Sequence, residues 1–382
     1  MFSGSKRVSK ILVVGQTPPP FGGQAIMIGK MLKGSYGEEI RLVHVRMAFS
    51  RELDESGKFK VRKLFKLCWL ILRILIARFV HGADILYYPP AGTNRIPVLR
   101  DLAILIPTRR LFRKTIFHFH AAGLGDFYHS SSAGLRFLCR LAYFYPDAAI
   151  CLSEYTHEDG KAVRAKREFV VPNGIEDESG AYLSGERKLS SLDQPICMLN
   201  VGLLSESKGV ITLLEACCLL AKRGIFFQAR FMGAFESPQF ELRVRQVVQA
   251  CDLEDRISFL GVLTGAKKWE QFARADIFCF PTHHETETFG IVLLEAMSFG
   301  LPVIATRWRG IPSVVQDGVC GFLVPVKDPI ALAARLEQLI RDPELRRTMG
   351  QEGQRRYLEN FTNEKFHDRM KTVFRSVAEL PA

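Results

Sequence analysis

The stretch ETETFGIVLLEAMSFGLPVIAT, residues 285–306, carries a loop, a helix, a stop signal and a strand in that order. Phe289-Gly290 opens the helix, and Gly300-Leu301-Pro302 ends it, because glycine accepts a left-handed cap and proline cannot continue a helix. The run PVIAT (302–306) then reads as a short buried strand. A helix leading straight into such a strand is the repeating unit of a parallel α/β sheet. One residue resists a purely structural reading. Glu295 lies among Leu293, Leu294, Ala296 and Met297, where an unpaired carboxylate costs several kcal/mol. Glu287 sits eight residues earlier, in the loop before the helix. A rise of about 1.5 Å per residue puts the second carboxylate roughly 7–8 Å further along than the helix mouth, with the free amides of the first turn between the two. One extended ligand fits: a sugar near Glu287, a diphosphate over the helix mouth, ribose hydroxyls on Glu295. A buried cation paired with Glu295, or a cap on a neighbouring helix, is the alternative.

The same alternation extends in both directions. Upstream, strands are expected at 11–15, 41–45, 84–88, 115–120, 147–152 and 168–172, with helices near 24–33, 61–80, 97–113, 134–145 and 154–165. A polar, breaker-rich stretch at 176–195 reads as a linker. Strands then resume at 196–202, 226–233, 257–261, 276–281, 302–306 and 321–325. Helices are expected at 209–223, 238–251, 267–274, 290–299, 328–341, 343–359 and 363–379. Two doubly wound α/β domains in tandem follow. Open sheets of this kind bind ligands at the carboxyl ends of their strands, so two facing domains would hold ligands on either side of a cleft.

Three other segments occupy such positions. TPPPFGGQA (17–25) joins the first strand to the first helix. Gly22 and Gly23 would let a phosphate or sugar approach the helix N-terminus, although a plain tight turn explains them equally well; the pattern is not the GxGxxG of dinucleotide binding. IFHFHAAG (116–123) ends a strand with His118 and His120 on one face, opposite Phe117 and Phe119. His120 is the one placed to reach a ligand, and a hydrogen-bonded core histidine is the alternative for either. NVGLLSESKG (200–209) sets Lys208 beside a helix start, where an ammonium and the helix dipole would act together on a diphosphate; on its own, Lys208 reads as a solvated surface residue.

Composition narrows the partners. The 382 residues are 47% hydrophobic and 24% charged, with a formal net charge of +12, ordinary for a globular chain with a core but biased towards anionic ligands. No zinc-finger or RNA-binding signature is present, so nucleic acid is the weakest anionic candidate. The nine cysteines are dispersed, without CxxC, and read as reduced core residues of a cytoplasmic protein. The N-terminal apolar run is five residues long and ends in a Gly/Pro turn, unlike a secretory signal. KFKVRKLFKLCWLILRILIARFV (58–80) is a basic, Trp-bearing apolar helix. Arg62, Lys66 and Arg73 fall on one stripe, and the longest uninterrupted apolar run, LCWLIL, is too short to span a bilayer. It reads either as an interfacial helix on an anionic inner-membrane surface or as a largely buried helix with a solvated stripe.

ETFGIVLLEAMSFGLPVIAT resembles the E-x7-E region of glycosyltransferase family 4, retaining enzymes of the GT-B fold. The order of the Gly22–Gly23 loop, His120, CLSE (151–154), VPNGI (171–175), VGLLSESKG (202–209 for its core) and GIPSVVQDGVCGFLVP (310–325) agrees with that family along nearly the whole chain. The resemblance implies an N-terminal acceptor-binding domain, 1–185, completed by the C-terminal helix 363–382, and a nucleotide-sugar-binding domain, 190–362. It implies a retaining, hexosyltransferase-type transfer from a nucleoside-diphosphate sugar to a glycan or polyprenyl-diphosphate-linked acceptor in cell-surface polysaccharide synthesis, with no cofactor or metal; no DxD motif occurs in the chain. The implied roles are sugar contacts by His120 and Glu287, neutralisation of the diphosphate by Lys208 with the amides of Phe289, Gly290 and Ile291, ribose binding by Glu295, and diphosphate contact at Gly22 and Gly23. One departure stands out: Leu203 occupies the place of the family's usual arginine. Its loss removes a charge-assisted contact worth about 1.5–3 kcal/mol. Arg307 and Arg309 are substitutes by location only, and a nucleotide-sugar-binding protein with weak or no turnover is the second reading.

Overall fold

Most inner β-rich runs form strands whose side chains are buried on both faces, as a parallel sheet covered by helices requires, while the edge strands Ile40–Arg46, Glu168–Val170 and Ile257–Phe259 are partly exposed. The computed structural model describes residues 8–19, 22–47, 61–92, 94–156, 158–183 and 195–379. It divides into two compact units: one ends at Asn173 and resumes at Asn363, the other is Gly174–Thr362. Unit 1 contains β1 (Ser9–Gly15), α1 (Gly23–Lys33), β2 (Ile40–Arg46), α2 (Val61–Phe79), β3 (Ile85–Tyr88), α3 (Arg95–Thr108), β4 (Lys114–Phe119), α4 (Leu124–Ser130), α5 (Ala133–Tyr143), β5 (Ala148–Cys151), α6 (Glu158–Ala162) and β6 (Glu168–Val170). Unit 2 contains β7 (Ile196–Val201), α7 (Val210–Lys222), β8 (Phe227–Met232), α8 (Pro238–Ala250), β9 (Ile257–Phe259), α9 (Ala266–Arg274) and β10 (Ile277–Phe280). It continues through α10 (Ile291–Ser298), β11 (Val303–Thr306), α11 (Ile311–Val314), β12 (Gly321–Val324), α12 (Pro329–Arg341) and α13 (Pro343–Asn360). The last helix, α14 (Asn363–Glu379), belongs to unit 1.

Each unit is a six-stranded sheet, ordered β2-β1-β3-β4-β5-β6 in unit 1 and β12-β11-β10-β7-β8-β9 in unit 2. Every strand pairing is parallel. The chain winds outward from β1 and then back through β3, and likewise from β7 and back through β10. The topological switch points therefore lie between β1 and β3 and between β7 and β10, where doubly wound sheets place their ligands. Both units are Rossmann-like, as the α/β reading expected.

Four expectations change. Leu124–Ser130 is a helix although the sequence reading left it irregular, and Ile311–Val314 forms one helical turn. The helix expected to reach residue 113 stops at Thr108 and passes into a 3-10 turn at Arg109–Leu111, just after Pro107, whose missing N–H weakens the ladder. Of the linker, 184–194 lies outside the described residues, and Ser179–Ala181 forms a 3-10 turn. The cysteines are not all reduced: Cys218 on α7 and Cys251 after α8 are joined by a disulfide, closing a separation of 33 residues. Sequence spacing gave no sign of it, because the pairing depends on how α7 packs beside α8.

Candidate active site

The site in unit 2 is built by two loops at its switch point. The loop after β7 leads to Gly209 and α7, and the loop after β10 leads to Gly290 and α10. Both glycines cap their helices at φ +75°, with no side-chain cap. Gly209 is fixed by packing: a Cβ there would lie 2.1 Å from the Pro281 carbonyl oxygen. That close approach locks the two loops together. The amide of His283 donates to the Ser207 carbonyl at 2.7 Å, and Ser207 Oγ bonds with His284 Nδ1 at 3.1 Å. The helices elsewhere in unit 2 that begin with proline after a polar residue are closed by side chains: Ser237 caps α8, Asp328 caps α12 and Asp342 caps α13. At α7 and α10 the capping glycines offer no side chain to the first-turn amides, and neither first turn carries an acidic residue. Those amides and the helix dipole are available to an anion.

Lys208 and Glu287 meet at this junction. Lys208 Nζ donates to Glu287 Oε2 at 2.5 Å, with side chains 22% and 12% exposed. The same ammonium lies 5.6 Å from the Phe280 ring centre. The sequence assigned the two residues to separate parts of one ligand; the structure pairs them with each other. Glu287 is held from its backbone, its amide donating to the His284 carbonyl at 3.0 Å, and Trp308 Nε1 donates to that same carbonyl at 2.8 Å. Burial and the neighbouring Lys208 charge lower the His284 pKa, so the imidazole is neutral near pH 7.

Glu295 is buried, as its apolar neighbours required, at 8% exposure. Its protein partner is Lys268 on α9, whose Nζ donates to Oε1 at 2.6 Å and lies 4.4 Å from the Trp269 ring centre. The alternative named from sequence, a cation partner, is therefore present, although Lys268 is only partly buried at 21% exposure, and a ribose is not needed to explain the carboxylate. Phe289 is buried, and Gly290 and Ile291 stand at the mouth of α10.

In unit 1 the histidines separate. His118 is fully buried, with Nδ1 2.6 Å from the Tyr87 hydroxyl, and is the hydrogen-bonded core histidine. His120, beyond the end of β4, stacks on it with ring centres 3.9 Å apart. Burial pushes the His120 pKa down to about 3. Gly22 caps α1 at φ −94°, and a Cβ there would meet nothing within 4 Å. Neither backbone geometry nor packing within the protein demands glycine at that position.

Sequence reasoning missed Lys268, Ser207, His284 and Trp308. Lys268 is 27 residues from Glu295 and lies on a helix that reads as an ordinary surface helix, so no local signal existed. His284 was accessible to the rule that polar residues after a strand's carboxyl end face the ligand. The basic substitutes for Leu203 find different duties. Arg307 is paired with Asp317 at 2.6 Å on the surface, and Arg309 stacks 5.5 Å from the Trp308 ring centre. Leu203 itself is 46% exposed.

Residues 186–356 match the family model of glycosyl transferases group 1. The putative colanic acid biosynthesis glycosyltransferase WcaL of Salmonella typhimurium is 35% identical over 159 residues, 41% of this chain and 38% of that protein. The N-acetyl-alpha-D-glucosaminyl L-malate synthase of Bacillus anthracis is 36% identical over 149 residues, 39% of this chain and 38% of that one. The chain thus spans about two fifths of the length of these curated relatives. Among solved structures, the sucrose-phosphate synthase of Thermosynechococcus elongatus superposes with a TM-score of 0.73 at 19% identity, covering 97% of this chain and 99% of that one. Anabaena HepE, solved in complex with UDP and glucose, gives 0.71 at 21% identity, covering 97% and 100%. At such identities the likeness establishes the fold, two Rossmann-like units of the GT-B type. Through residues 186–356, the chain is similar to the group 1 glycosyl transferases.

Proposed function

We propose that the chain transfers a sugar, with retention at the anomeric carbon, from a nucleoside-diphosphate sugar to a glycan or polyprenyl-diphosphate-linked acceptor in cell-surface polysaccharide synthesis. The observation that carries this is the junction at the unit 2 switch point: Lys208 and Glu287 paired beside two helix N-termini that no side chain caps. Departure of the nucleoside diphosphate builds negative charge on the β-phosphate. An ammonium and oriented amides already in place stabilise that charge without reorganising. Lys208 exchanges Glu287 for the diphosphate, and the released carboxylate accepts hydroxyls of the sugar. Glu295, oriented by Lys268, accepts the ribose hydroxyls. In unit 1 the same reading gives His120 contact with the transferred sugar and the Gly22–Gly23 backbone contact with the diphosphate; a neutral imidazole suits hydroxyl recognition. The reaction is proposed to need no metal or cofactor and to take place in the cytoplasm. Support comes from a relative named as a colanic acid biosynthesis glycosyltransferase and from a structural neighbour solved with UDP and glucose.

A second reading, donor binding with weak or no turnover, is favoured by Leu203 and by the commitment of Arg307 to Asp317. Release of nucleoside diphosphate from a panel of nucleotide-sugars, with and without lipid-linked acceptor, separates the two. Transfer requires release that the acceptor accelerates. Saturable binding without release supports the second reading, and neither binding nor release removes both.

A further inference from the structure

The outer layer of unit 1 is unlike the surface of a soluble helix layer. Helix α3 lies beside both α2 and α5, and one core cluster takes Leu70 and Ile74 from α2, Leu102 and Leu105 from α3 and Ala142 from α5. These three helices therefore share one face of the sheet. Helix α2 buries only a narrow strip. Its outward strip is Phe65, Trp69, Leu72, Ile76 and Phe79, exposed by 75%, 55%, 44%, 39% and 67%. At 100° per residue these fall on a single face. The outward face of α3 carries Ile96 and Leu99, and that of α5 carries Phe137. The largely buried reading of 58–80 is thus overturned for the described part of the helix, 61–79; residues 58–60 and the side chain of Arg62 lie outside the described residues.

The charge on this layer has one sign. Across α2, α3 and α5 the sole acidic residue is Asp101, fully buried and bonded to the Tyr88 hydroxyl, the Ala91 amide and Arg100. Arg73, on one flank of the α2 strip, and Arg95 and Arg136, exposed on α3 and α5, are met by no carboxylate among the described residues. An isologous contact with a second copy would press cationic, acid-free faces together with nothing to pair them. An anionic phospholipid surface satisfies both features: headgroups take the arginines, and the acyl boundary takes Phe65, Trp69 and Phe79. No helix among the described residues is long and apolar enough to cross a membrane, so the layer would lie on the surface.

We propose that the α2–α3–α5 layer is the face by which this chain docks on an anionic membrane. The test is sedimentation of the full chain with vesicles of phosphatidylglycerol and phosphatidylcholine, against phosphatidylcholine alone, at low ionic strength. Binding to the anionic vesicles is expected, weakened by salt. The Trp69→Glu/Ile76→Glu double variant should bind at least about tenfold more weakly with an unchanged melting temperature, because both side chains are already exposed. Cys68, exposed on the same strip, gives an independent reading: an environment-sensitive fluorophore there should shift to the blue on anionic vesicles. Wild-type protein left in the supernatant, a double variant that binds equally, or a dimer in solution that the double variant dissolves would each overturn the proposal. Vesicle binding is read without donor turnover, so this inference and the transferase reading can fail separately.

Discussion

Unit 1 and unit 2 share one winding rule but equip the ends of their sheets in opposite ways. In unit 2 the loops after β7 and β10 hold Lys208 and Glu287 as an ion pair, and the adjoining helices α9 and α10 hold Lys268 and Glu295 as another. In unit 1 the loop after β1 leads to Gly22 and Gly23, the one after β3 begins with Pro89 and Pro90, and the titratable group beyond β4, His120, is neutral. The cationic character of unit 1 lies instead on its outer helices. A charged ligand needs counter-charges fixed before it arrives, and under the proposed function unit 2 would supply them from two lysines, each held by a carboxylate until the ligand displaces it. In unit 1 the carboxylates near the loops are tied to backbone instead, Asp101 accepting from the Ala91 amide and Asp159 from the amides of Gly123 and Gly125.

That contrast can be broken unit by unit. The largest effect is expected from the disulfide. Cys251→Ser opens a loop of 33 residues, which the chain-entropy account values at about 3–4 kcal/mol. Hydrogen exchange should show the loss in α7 and α8 and leave unit 1 unchanged; equal deprotection of both units would contradict an effect confined to unit 2. Next is Gly209→Ala, which combines a left-handed conformation with the 2.1 Å approach to Pro281. A loss of at least about 2–3 kcal/mol is expected, read as a lower melting temperature together with weakened nucleotide binding.

Acid sharpens the comparison from the other side. His118 and His120 have pKa values lowered by burial, that of His120 to about 3. The unfolded chain binds protons at these residues below about pH 6.5, whereas the folded chain does not. Their contribution to stability is therefore complete above that pH and is lost as pH falls towards the folded values. From pH 7 to 5, unit 1 should lose roughly 1–2 kcal/mol through His120, and His120→Asn should flatten that slope. An unchanged slope would mean the imidazole is not buried as described. Last in size, Lys208→Ala should lower kcat by at least about tenfold, equivalent to about 1.4 kcal/mol of transition-state stabilisation. An unaltered kcat would remove Lys208 from the chemistry.

Much of this was legible in the sequence because it is local. Strand and helix order follows from apolar runs and breakers, and Glu295 announced itself as a carboxylate among Leu293, Leu294 and Met297. Its partner was not legible: Lys268 reaches it only because α9 packs near α10, a tertiary fact without a local pattern. The same holds for Cys218–Cys251. Helix α2 shows a third limit. Its periodicity gave an amphipathic helix, but which apolar residues face the sheet depends on its rotation over β1 and β2. Only the structure shows Leu70 and Ile74 turned inward and Phe65 and Trp69 outward.

The central claim is that the switch point of unit 2 binds a nucleoside diphosphate through Lys208, Glu287 and Glu295. The direct test is the melting temperature of the full chain against a panel of nucleoside diphosphates and their sugars, with Glu295→Ala as the control. One nucleotide should stabilise the wild type, by about 2.7 kcal/mol at a concentration 100 times its Kd, and the stabilisation should largely vanish in Glu295→Ala. A panel without any stabilising nucleotide, or an equal shift in the variant, would contradict the account.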